Sequence, residues 1–334
     1  MILKSREKPE KMLKLDALLK RLSNTHPERM RLEKDYARFS AGYKGEGAID
    51  YYLNFLDEKD YYILHNVRLT TKICSFQIDT LILTQSFILI IEVKNITGTV
   101  LIDSVYRQLI RTINGIEECF PHPEDQAYHQ KLQLIHWLEQ QRLPIPPIEI
   151  LVVFANQNCI LKSNCTLPNN KQSSSIIHST SILNNIQQIK DRYSKEHLSK
   201  KEIRRIANLI NKHHVSLNID ILHSYHIDRK DLLLGVQCPD CRAYYMIRKN
   251  GKWYCNQCGL NSTNEHYHAL DDYRLIISPY ISNKEIREFL CISSDSIARK
   301  LMEASKLHSV GTTRDKQYQL EPYSATSDHS YLKT

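Results

Sequence analysis

The alternation of apolar and polar positions predicts a series of strands in the first half of the chain. Residues 86–95 and 148–155 are nearly continuous apolar runs, which are typical of strands inside a sheet. Asn114-Gly115, between two alternating segments, predicts a tight hairpin turn. The predicted strands cover residues 61–70, 74–84, 86–95, 97–103, both arms of the 107–120 hairpin, 148–155 and 174–178.

Helical spacing predicts helices before, between and after these strands. Leu15, Leu18, Leu19 and Leu22 make an apolar stripe in the basic residues 1–36. A capping box, Ser199 to Glu202, opens a helix that ends near His214. Further helices are predicted over residues 44–57, over residues 124–141 and from Ile182 onward.

This order of elements predicts an α/β domain with a mixed sheet flanked by helices. Six segments follow from the pattern and from the two cysteine pairs near position 250. They are a basic N-terminal helical segment (1–37), the α/β domain with trailing helices (38–214), a connector (215–234), a cysteine-pair module (235–262), a helical module with a short wing (269–320) and a disordered tail (321–334).

Charge is concentrated in two segments of the 334-residue chain. The net charge is +8, while residues 1–40 and residues 190–214 each carry a net +5, so the remainder sums to −2. Two basic segments beside a near-neutral body favour a polyanionic partner, nucleic acid before membrane. The alternative is that both segments are solvated helix faces.

Cysteine usage and hydropathy predict a cytoplasmic protein. No apolar run reaches the ~18 residues that a membrane span needs, and the N-terminal residues lack the apolar core of a signal peptide. The nine cysteines are an odd number, and four of them form two tight pairs. That pattern indicates a reducing compartment and a metal site, not a disulfide framework.

Two acids and a lysine interrupt the apolar run QIDTLILTQSFILIIEVKN (77–95). If its two halves pair around Gln85-Ser86 with an even loop, Asp79 and Glu92 face each other with Cβ atoms about 4.5–5.5 Å apart. Strand alternation then places Lys94 on the same face as Glu92. A loop of odd length would instead offset the two acids by one position.

Paired carboxylates beside a lysine suit a divalent cation and phosphodiester hydrolysis. Mg²⁺ is typically held by one or two carboxylates, with waters and phosphate oxygens as its other ligands. A lysine beside the metal can orient a metal-bound water or stabilise developing charge. The alternative is an ordinary sheet in which Lys94 pairs with Glu92.

Four blocks of sequence, in order, resemble the nuclease-related domain (NERD) family: GYKGEGAIDYYL, QIDTLIL, FILIIEVKNITGTV and HPEDQAYHQKLQLIHWL. The resemblance covers about residues 38–190. It implies a restriction-endonuclease-like fold with a (D/E)-x-K core formed by Asp79, Glu92 and Lys94, and with Mg²⁺ or Mn²⁺ as cofactor. It also implies that Glu46 is the helix-borne acid of the site.

Two of the residues that the resemblance assigns have open alternatives. Gln126 matches a family glutamine, but the step before it is His122-Pro123 here and not the Asn-Pro-like step of the family. Glu46 is alternatively a solvent-facing acid in the first turn of a helix, where it favours the helix dipole.

The cysteine pairs predict a zinc ribbon. Cys238, Cys241, Cys255 and Cys258 have the spacing C-x₂-C-x₁₃-C-x₂-C, and two such turns close a tetrahedral Zn²⁺ site. Four thiolates leave zinc no open position, so the site is expected to be structural. His266 and His268 are expected to be surface residues.

The segment from Ile281 to Leu320 resembles a helix-turn-helix with a wing. Ser282 to Glu285 forms a capping box, and Cys291-Ile292-Ser293 supplies the turn. The second helix would enter the major groove of DNA, and the alternative is a helical module for protein contact. The expected nucleic-acid contacts are Ser294, Ser296, Arg299 and Lys300.

The sequence therefore predicts a metal-dependent nuclease that binds nucleic acid, DNA before RNA, and that its C-terminal modules direct to its substrate. A catalytically silent nucleic-acid-binding or regulatory protein on the same fold is the alternative. An adaptor whose C-terminal modules bind protein is a third possibility.

Overall fold

The computed structural model describes residues 1–164, 175–312 and 315–323 of the chain. These residues form two compact units. The first unit comprises residues 1–9 and 38–217, and the second comprises residues 10–37 and those from 218 onward. The boundary at residue 37 lies inside the helix Arg29–Ala48, here named α2.

The first unit is built on a mixed six-stranded sheet with the order β1-β2-β3-β4-β8-β10. β2, β3 and β4 are antiparallel neighbours, whereas β4, β8 and β10 run parallel, as does β1 beside β2. The central strand β4 is buried along almost its whole length, which explains its continuous apolar run. The six strands are β1 Ile2–Lys4, β2 Tyr62–Thr70, β3 Ser75–Leu83, β4 Ile88–Lys94, β8 Ile148–Phe154 and β10 Ile176–His178.

Helices cover both faces of this sheet. Trp137 of helix α4 and Ile206 of helix α6 pack on one face, while Leu53 of α3 and Ile186 of α5 pack on the other. The amphipathic helices therefore bury their apolar sides against the two sheet faces, as the 3.6-residue pattern requires. Their bounds are α3 Asp50–Leu53, α4 Pro123–Gln140, α5 Ile182–Arg192 and α6 Lys200–Lys212, with a 3₁₀ turn at Ser179–Ser181.

A second, four-stranded sheet has the order β7-β6-β5-β9. Its Val100 and Leu109 share a core with Ala127 of α4 and Phe154 of β8. Asn114-Gly115 has positive φ angles of 51° and 79°, as the predicted tight turn demands. The strands are β5 Thr99–Asp103, β6 Gln108–Ile113, β7 Ile116–Pro121 and β9 Ile160–Ser163.

The second unit joins short strands and helices around one core. Cys238 and Trp253 of the cysteine-pair module share a hydrophobic cluster with Tyr273, Phe289 and Met302 of the helices that follow. The two modules therefore fold as one body. Its elements are α1 Glu10–Arg21, α7 Ile221–Ser224, a 3₁₀ turn Arg229–Asp231, β11 Ile247–Lys249, β12 Lys252–Tyr254, β13 Asn261–Ser262, α8 Glu265–Ile276, β14 Tyr280–Ser282, α9 Asn283–Leu290, α10 Asp295–Ala304, β15 Ser309–Val310 and β16 Gln317–Gln319.

The predicted mixed α/β architecture with sheets flanked by helices is confirmed. The predicted N-terminal segment 1–37 is divided in the structure, because residues 2–4 pair with β2 in the first unit and residues 10–37 belong to the second. The predicted helix 44–57 is the end of α2 followed by the short α3. Of the predicted tail 321–334, residues 324–334 lie outside the described residues.

Within the described residues, no helix combines the length and the apolar character that crossing a membrane requires.

Candidate functional site

The pairing of strand β3 is interrupted on both sides at Asp79. On one side its pairing with β4 ends at Thr80 and Ile91, and on the other side Asn66 of β2 adopts a left-handed φ of 50° and leaves the ladder for that one position. The β3–β4 pairs have the register that the even loop predicts. Beyond the last pair, the Asp79 carboxylate accepts a hydrogen bond from the Val93 backbone N–H at 3.0 Å. A side chain thus replaces a strand carbonyl, and such local departures from regular pairing cluster at functional sites.

Glu92 and Lys94 form one hydrogen-bonded network with α4. The Lys94 Nζ donates to Glu92 Oε1 at 2.8 Å and to Gln126 Oε1 at 2.7 Å. The other Glu92 oxygen, Oε2, accepts from Gln130 Nε2 at 2.7 Å. Only 3% of the Glu92 side chain is exposed against 22% of Lys94, so the network holds a buried carboxylate beneath a partly exposed ammonium.

A glycine lets helix α2 bring Glu46 to this end of the sheet. A Cβ on Gly45 would lie 2.3 Å from the Cβ of Asn95, the residue after Lys94. Asn95 also donates from Nδ2 to the Ala41 carbonyl at 2.7 Å. Because any side chain at position 45 would push α2 away, Gly45 sets the distance between Glu46 and the end of β4.

Burial and neighbouring acids together determine the electrostatics of this cluster. Burial, and then the negative charges of Glu92 and Glu46, raise the pKa of Asp79 well above its usual range. Burial also raises the pKa of Glu46, although the adjacent Arg6 guanidinium opposes the shift. The site therefore carries more negative charge than its own cations neutralise.

The donor set fits a divalent cation of the magnesium type. The free oxygen of Asp79, Oδ1, accepts no hydrogen bond from the described residues, and the side chain is only half-buried. Mg²⁺ needs only one or two carboxylates and keeps waters as its other ligands. A cation beside Asp79 and Glu92 would relieve the repulsion that raises the Asp79 pKa.

The structure adds four residues that the sequence did not single out: Arg6, Asp50, His65 and Gln130. Gln130 lies one helical turn after Gln126, and Asp50 follows Glu46 by four residues, so helical spacing could have indicated both. Arg6 follows β1 in the chain, and His65 lies in β2. Because only the fold brings these two residues to the site, no local sequence pattern indicates either of them.

The four predicted cysteines of the second unit lie together. Their sulfur atoms are all within 4.8 Å of one another, and among the described residues they are the one such group of three or more potential metal ligands. Sγ atoms of Cys238 and Cys258 are 3.6 Å apart, and those of Cys241 and Cys255 are 3.5 Å apart. The cluster could hold a metal ion such as zinc.

The two cysteine turns have matching backbone geometry. Cys238 N donates to the Ala243 carbonyl at 2.8 Å, and Cys255 N donates to the Leu260 carbonyl at 2.8 Å. The residue after each pair adopts a positive φ, 62° at Arg242 and 78° at Gly259. Two equivalent turns that each aim a pair of thiols inward are what a tetrahedral metal ion requires.

The expectation that His266 is a surface residue is wrong. His266 is buried, and its Nδ1 accepts a hydrogen bond from the Trp253 indole at 3.3 Å. Burial lowers the pKa of His266 to about 3, so the ring is neutral. His266 of α8 packs against Trp253 of β12, and sequence spacing alone could not reveal this contact.

The predicted nucleic-acid contacts lie at the N-terminal half of α10. Ser294 caps the helix through a hydrogen bond from Ile297 N, and Ser296 lies beside it. Arg299 forms an ion pair with Asp295 one turn earlier, at 2.6 Å. Lys300 is exposed, so this surface presents polar groups with little net charge.

Replacing Asp79 by Asn should stabilise the metal-free protein as pH rises. The raised folded-state pKa means that ionising Asp79 opposes folding, beginning above the ordinary carboxyl pKa of about 3.9. Asn keeps an oxygen for the Val93 N–H. We expect the melting temperature of Asp79→Asn to exceed that of wild type by a margin that grows as pH rises above about 4, and to equal it at lower pH.

Asp103→Asn is the control of opposite sign. Hydrogen bonds from Asn164, the Tyr106 N–H and Gln108 lower the pKa of Asp103 to about 2. Its stabilisation is therefore present above the ordinary carboxyl pKa and is lost as pH falls toward 2. The account of the site is contradicted if Asp79→Asn, like Asp103→Asn, lowers stability at neutral pH.

Purified protein should contain one zinc ion per chain. Because Cys238 and Cys255 belong to the core of the second unit, removing the metal with a chelator should unfold that unit. We expect Cys241→Ser and Cys258→Ser to lose the zinc, and the exposed Cys74→Ser to retain it. Metal analysis with thermal unfolding tests this, and full stability of the zinc-free protein would refute a structural role.

Comparison with known proteins finds a family similarity in part of the first unit. Residues 41–155 match the model of the nuclease-related domain (NERD). An uncharacterized protein of Bacillus anthracis is 31% identical over 104 residues, which cover 31% of this chain and 49% of the relative. The chain thus matches about half of that relative's length, and no solved structure matches the chain. Residues 41–155, which carry the Asp79 cluster, are therefore similar to a nuclease-related domain.

Proposed function

We propose that the protein is a divalent-metal-dependent nuclease with a restriction-endonuclease-like core. The observation that carries the proposal is the meeting of Asp79, Glu92 and Lys94 where the pairing of β3 is interrupted. In a regular sheet, two acidic side chains and a lysine would each pair with the nearest charged or polar group. Here they gather at one break in the ladder, inside the matched nuclease-related region.

Each residue has a distinct role in this proposal. A bound Mg²⁺ would polarise the phosphate and lower the pKa of the attacking water. Asp79 and Glu92 would hold the ion through carboxylate oxygens. Lys94 would stabilise charge that develops on the phosphate, with its ammonium oriented by Glu92 and Gln126. Gln130 would fix the Glu92 rotamer through its hydrogen bond to Oε2.

The basic charge of the chain supports a nucleic-acid partner on helix α6. Several cations of the N-terminal segment are not available to a partner, because the side chains of Arg6, Lys14 and Arg21 are buried and ion-paired. On α6, none of the basic side chains forms an ion pair with any described residue, and all are exposed. These are Lys200, Lys201, Arg204, Arg205 and Lys212.

Helix α6 runs from the β3–β4 turn toward the strand positions beside the candidate site. The chain enters α6 beside the β3–β4 turn, where Leu198 N donates to the Gln85 carbonyl at 3.0 Å. It leaves at the other end of β2, where Val215 N donates to the Arg68 carbonyl at 3.0 Å. Arg68 pairs with Gln77, two residues from Asp79. A phosphate backbone on α6 would therefore run toward the acidic cluster.

The second unit would direct the nuclease to its substrate. We infer a structural zinc ribbon from the four cysteines and a helix-turn-helix with a wing from α9, α10 and the β15–β16 pair. The left-handed Cys291, with φ 55°, ends α9 and turns the chain into α10. This arrangement favours DNA over RNA as the substrate. A protein partner for these modules remains the alternative for α10, whose surface has little net charge.

Wild-type protein should cleave nucleic acid when supplied with Mg²⁺ or Mn²⁺. We expect Asp79→Ala, Glu92→Gln and Lys94→Ala to lose at least about 10²-fold in rate, because each removes a metal ligand or a transition-state charge. Lys59→Ala, at an exposed position of the same unit, is the matched control. Gel assays on single- and double-stranded DNA and RNA measure the effect.

The same assay decides between the enzyme and a silent binding protein. If the wild type shows no more cleavage than the three variants with either ion, the nuclease proposal fails. Salt-sensitive binding that the three substitutions leave unchanged would then favour the regulatory alternative.

Neutralising α6 should weaken nucleic-acid binding in a salt-dependent manner. Each phosphate contact contributes a slope of about −0.9 to the plot of log K against log salt concentration for duplex DNA. We expect the double variant Arg204→Gln, Arg205→Gln to lose about one to two units of that slope. The control is the double variant Lys20→Gln, Arg31→Gln, which removes two cations that already pair with Asp16 and Glu28.

That control pair should keep the wild-type slope. Fluorescence anisotropy in EDTA separates binding from cleavage. Equal slopes for wild type and the α6 variant would show that nucleic acid does not contact this face.

A further inference from the structure

Arg6 is a buried cation supplied by the N-terminal strand segment. It follows β1 in the first unit, and only 4% of its side chain is exposed. It precedes the matched nuclease-related region by 35 positions, since that region begins at residue 41. An arginine is rarely buried without paired charges, so its partners indicate why it is there.

Two carboxylates of the helical layer bind this guanidinium. Arg6 Nη1 donates to Glu46 Oε2 at 2.8 Å, and Nη2 donates to Asp50 Oδ1 at 3.0 Å. Nε donates to the other oxygen of Asp50 at 3.0 Å. The bidentate contact with Asp50 fixes the plane of the guanidinium and hence the direction in which it meets Glu46.

The remaining donors of Arg6 point to the interrupted strands. Nη2 donates to Thr80 Oγ1 at 2.9 Å and lies 2.8 Å from the ring nitrogen Nδ1 of His65. Nη1 lies 3.4 Å from both the Asp79 carbonyl oxygen and Asn66 Oδ1. Arg6 therefore ties α2 to the point at which the pairing of β3 is interrupted.

The surroundings of this guanidinium are those of a hard metal cation. Carboxylate, carbonyl, hydroxyl and amide oxygens surround it together with one imidazole nitrogen, and such oxygens are the ligand types that Mg²⁺ and Ca²⁺ prefer. Two-metal nuclease centres clamp the reacting phosphate between ions about 3.5–4 Å apart. The side chain of Arg6 fills an oxygen-rich position beside Glu46 that a second divalent cation could otherwise occupy.

We propose that Arg6 is a positioning residue that takes the place of a second divalent cation, so that the centre binds one ion at Asp79 and Glu92. This inference rests on the proposed nuclease function. The fixed charge holds Glu46 beside the site without a metal. It also makes the first unit dependent on a segment outside the matched family region.

Counting bound Mn²⁺ on the full-length, zinc-loaded protein tests the proposal without reference to activity. Equilibrium dialysis should find one Mn²⁺ per wild-type chain and two per chain in Arg6→Met, which removes the charge but keeps the volume. Adding Glu46→Gln to Arg6→Met should return the count to one. A count of one in folded Arg6→Met would overturn the proposal.

Three further outcomes keep the test decisive. Wild-type protein that binds two Mn²⁺ would overturn the inference without any variant, even if Arg6→Met fails to fold. Arg6→Lys retains the charge and should keep the count at one bound Mn²⁺ per chain, whereas a count of two would contradict the proposal. Wild-type protein that binds no Mn²⁺ would instead refute the metal-dependent function itself.

Discussion

The crowding of buried and half-buried carboxylates is the constraint on which the first unit depends. Asp79, Glu92 and Glu46 converge near the end of β4, and burial together with the charges of Glu92 and Glu46 raises the pKa of Asp79. Carboxylates in water repel one another only weakly. Burial lowers the effective dielectric constant and so strengthens the repulsion between each pair. The fold opposes the repulsion with two cations of its own, Lys94 and Arg6. The remaining negative charge is what would attract a divalent ion.

The fold around the cluster serves to keep these charges in place. The pairing of β3 with β4 stops at Thr80, so that the Asp79 carboxylate and not a carbonyl meets the Val93 N–H. Gly45 permits the close approach of α2, and the glutamines of α4 hold Glu92 and Lys94 from the opposite side. Helices on the two faces of the sheet thus supply the second layer of the site. Such support from neighbouring hydrogen bonds is what makes a catalytic geometry reproducible.

Sequence patterns were sufficient for the elements whose signal is local. Apolar alternation located β2 to β5, and Asn114-Gly115 located the β6–β7 turn. The register of the β3–β4 hairpin followed from its loop, and the cysteine spacing predicted the four-sulfur cluster. Non-local features escaped, because nothing near Arg6 indicates that residues 2–4 add a strand to the sheet. His266 likewise required knowledge of which aromatic face it packs against.

The most direct test of the account is where a divalent ion binds. Crystals of the zinc-loaded protein soaked in millimolar Mn²⁺ should show one anomalous difference peak in the first unit. We expect that peak within coordination distance of Asp79 and Glu92 and on the side of Lys94. An ordered first unit with no peak there, or with the ion bound only at exposed acids elsewhere, would contradict the claim that this cluster is a metal-dependent nuclease centre.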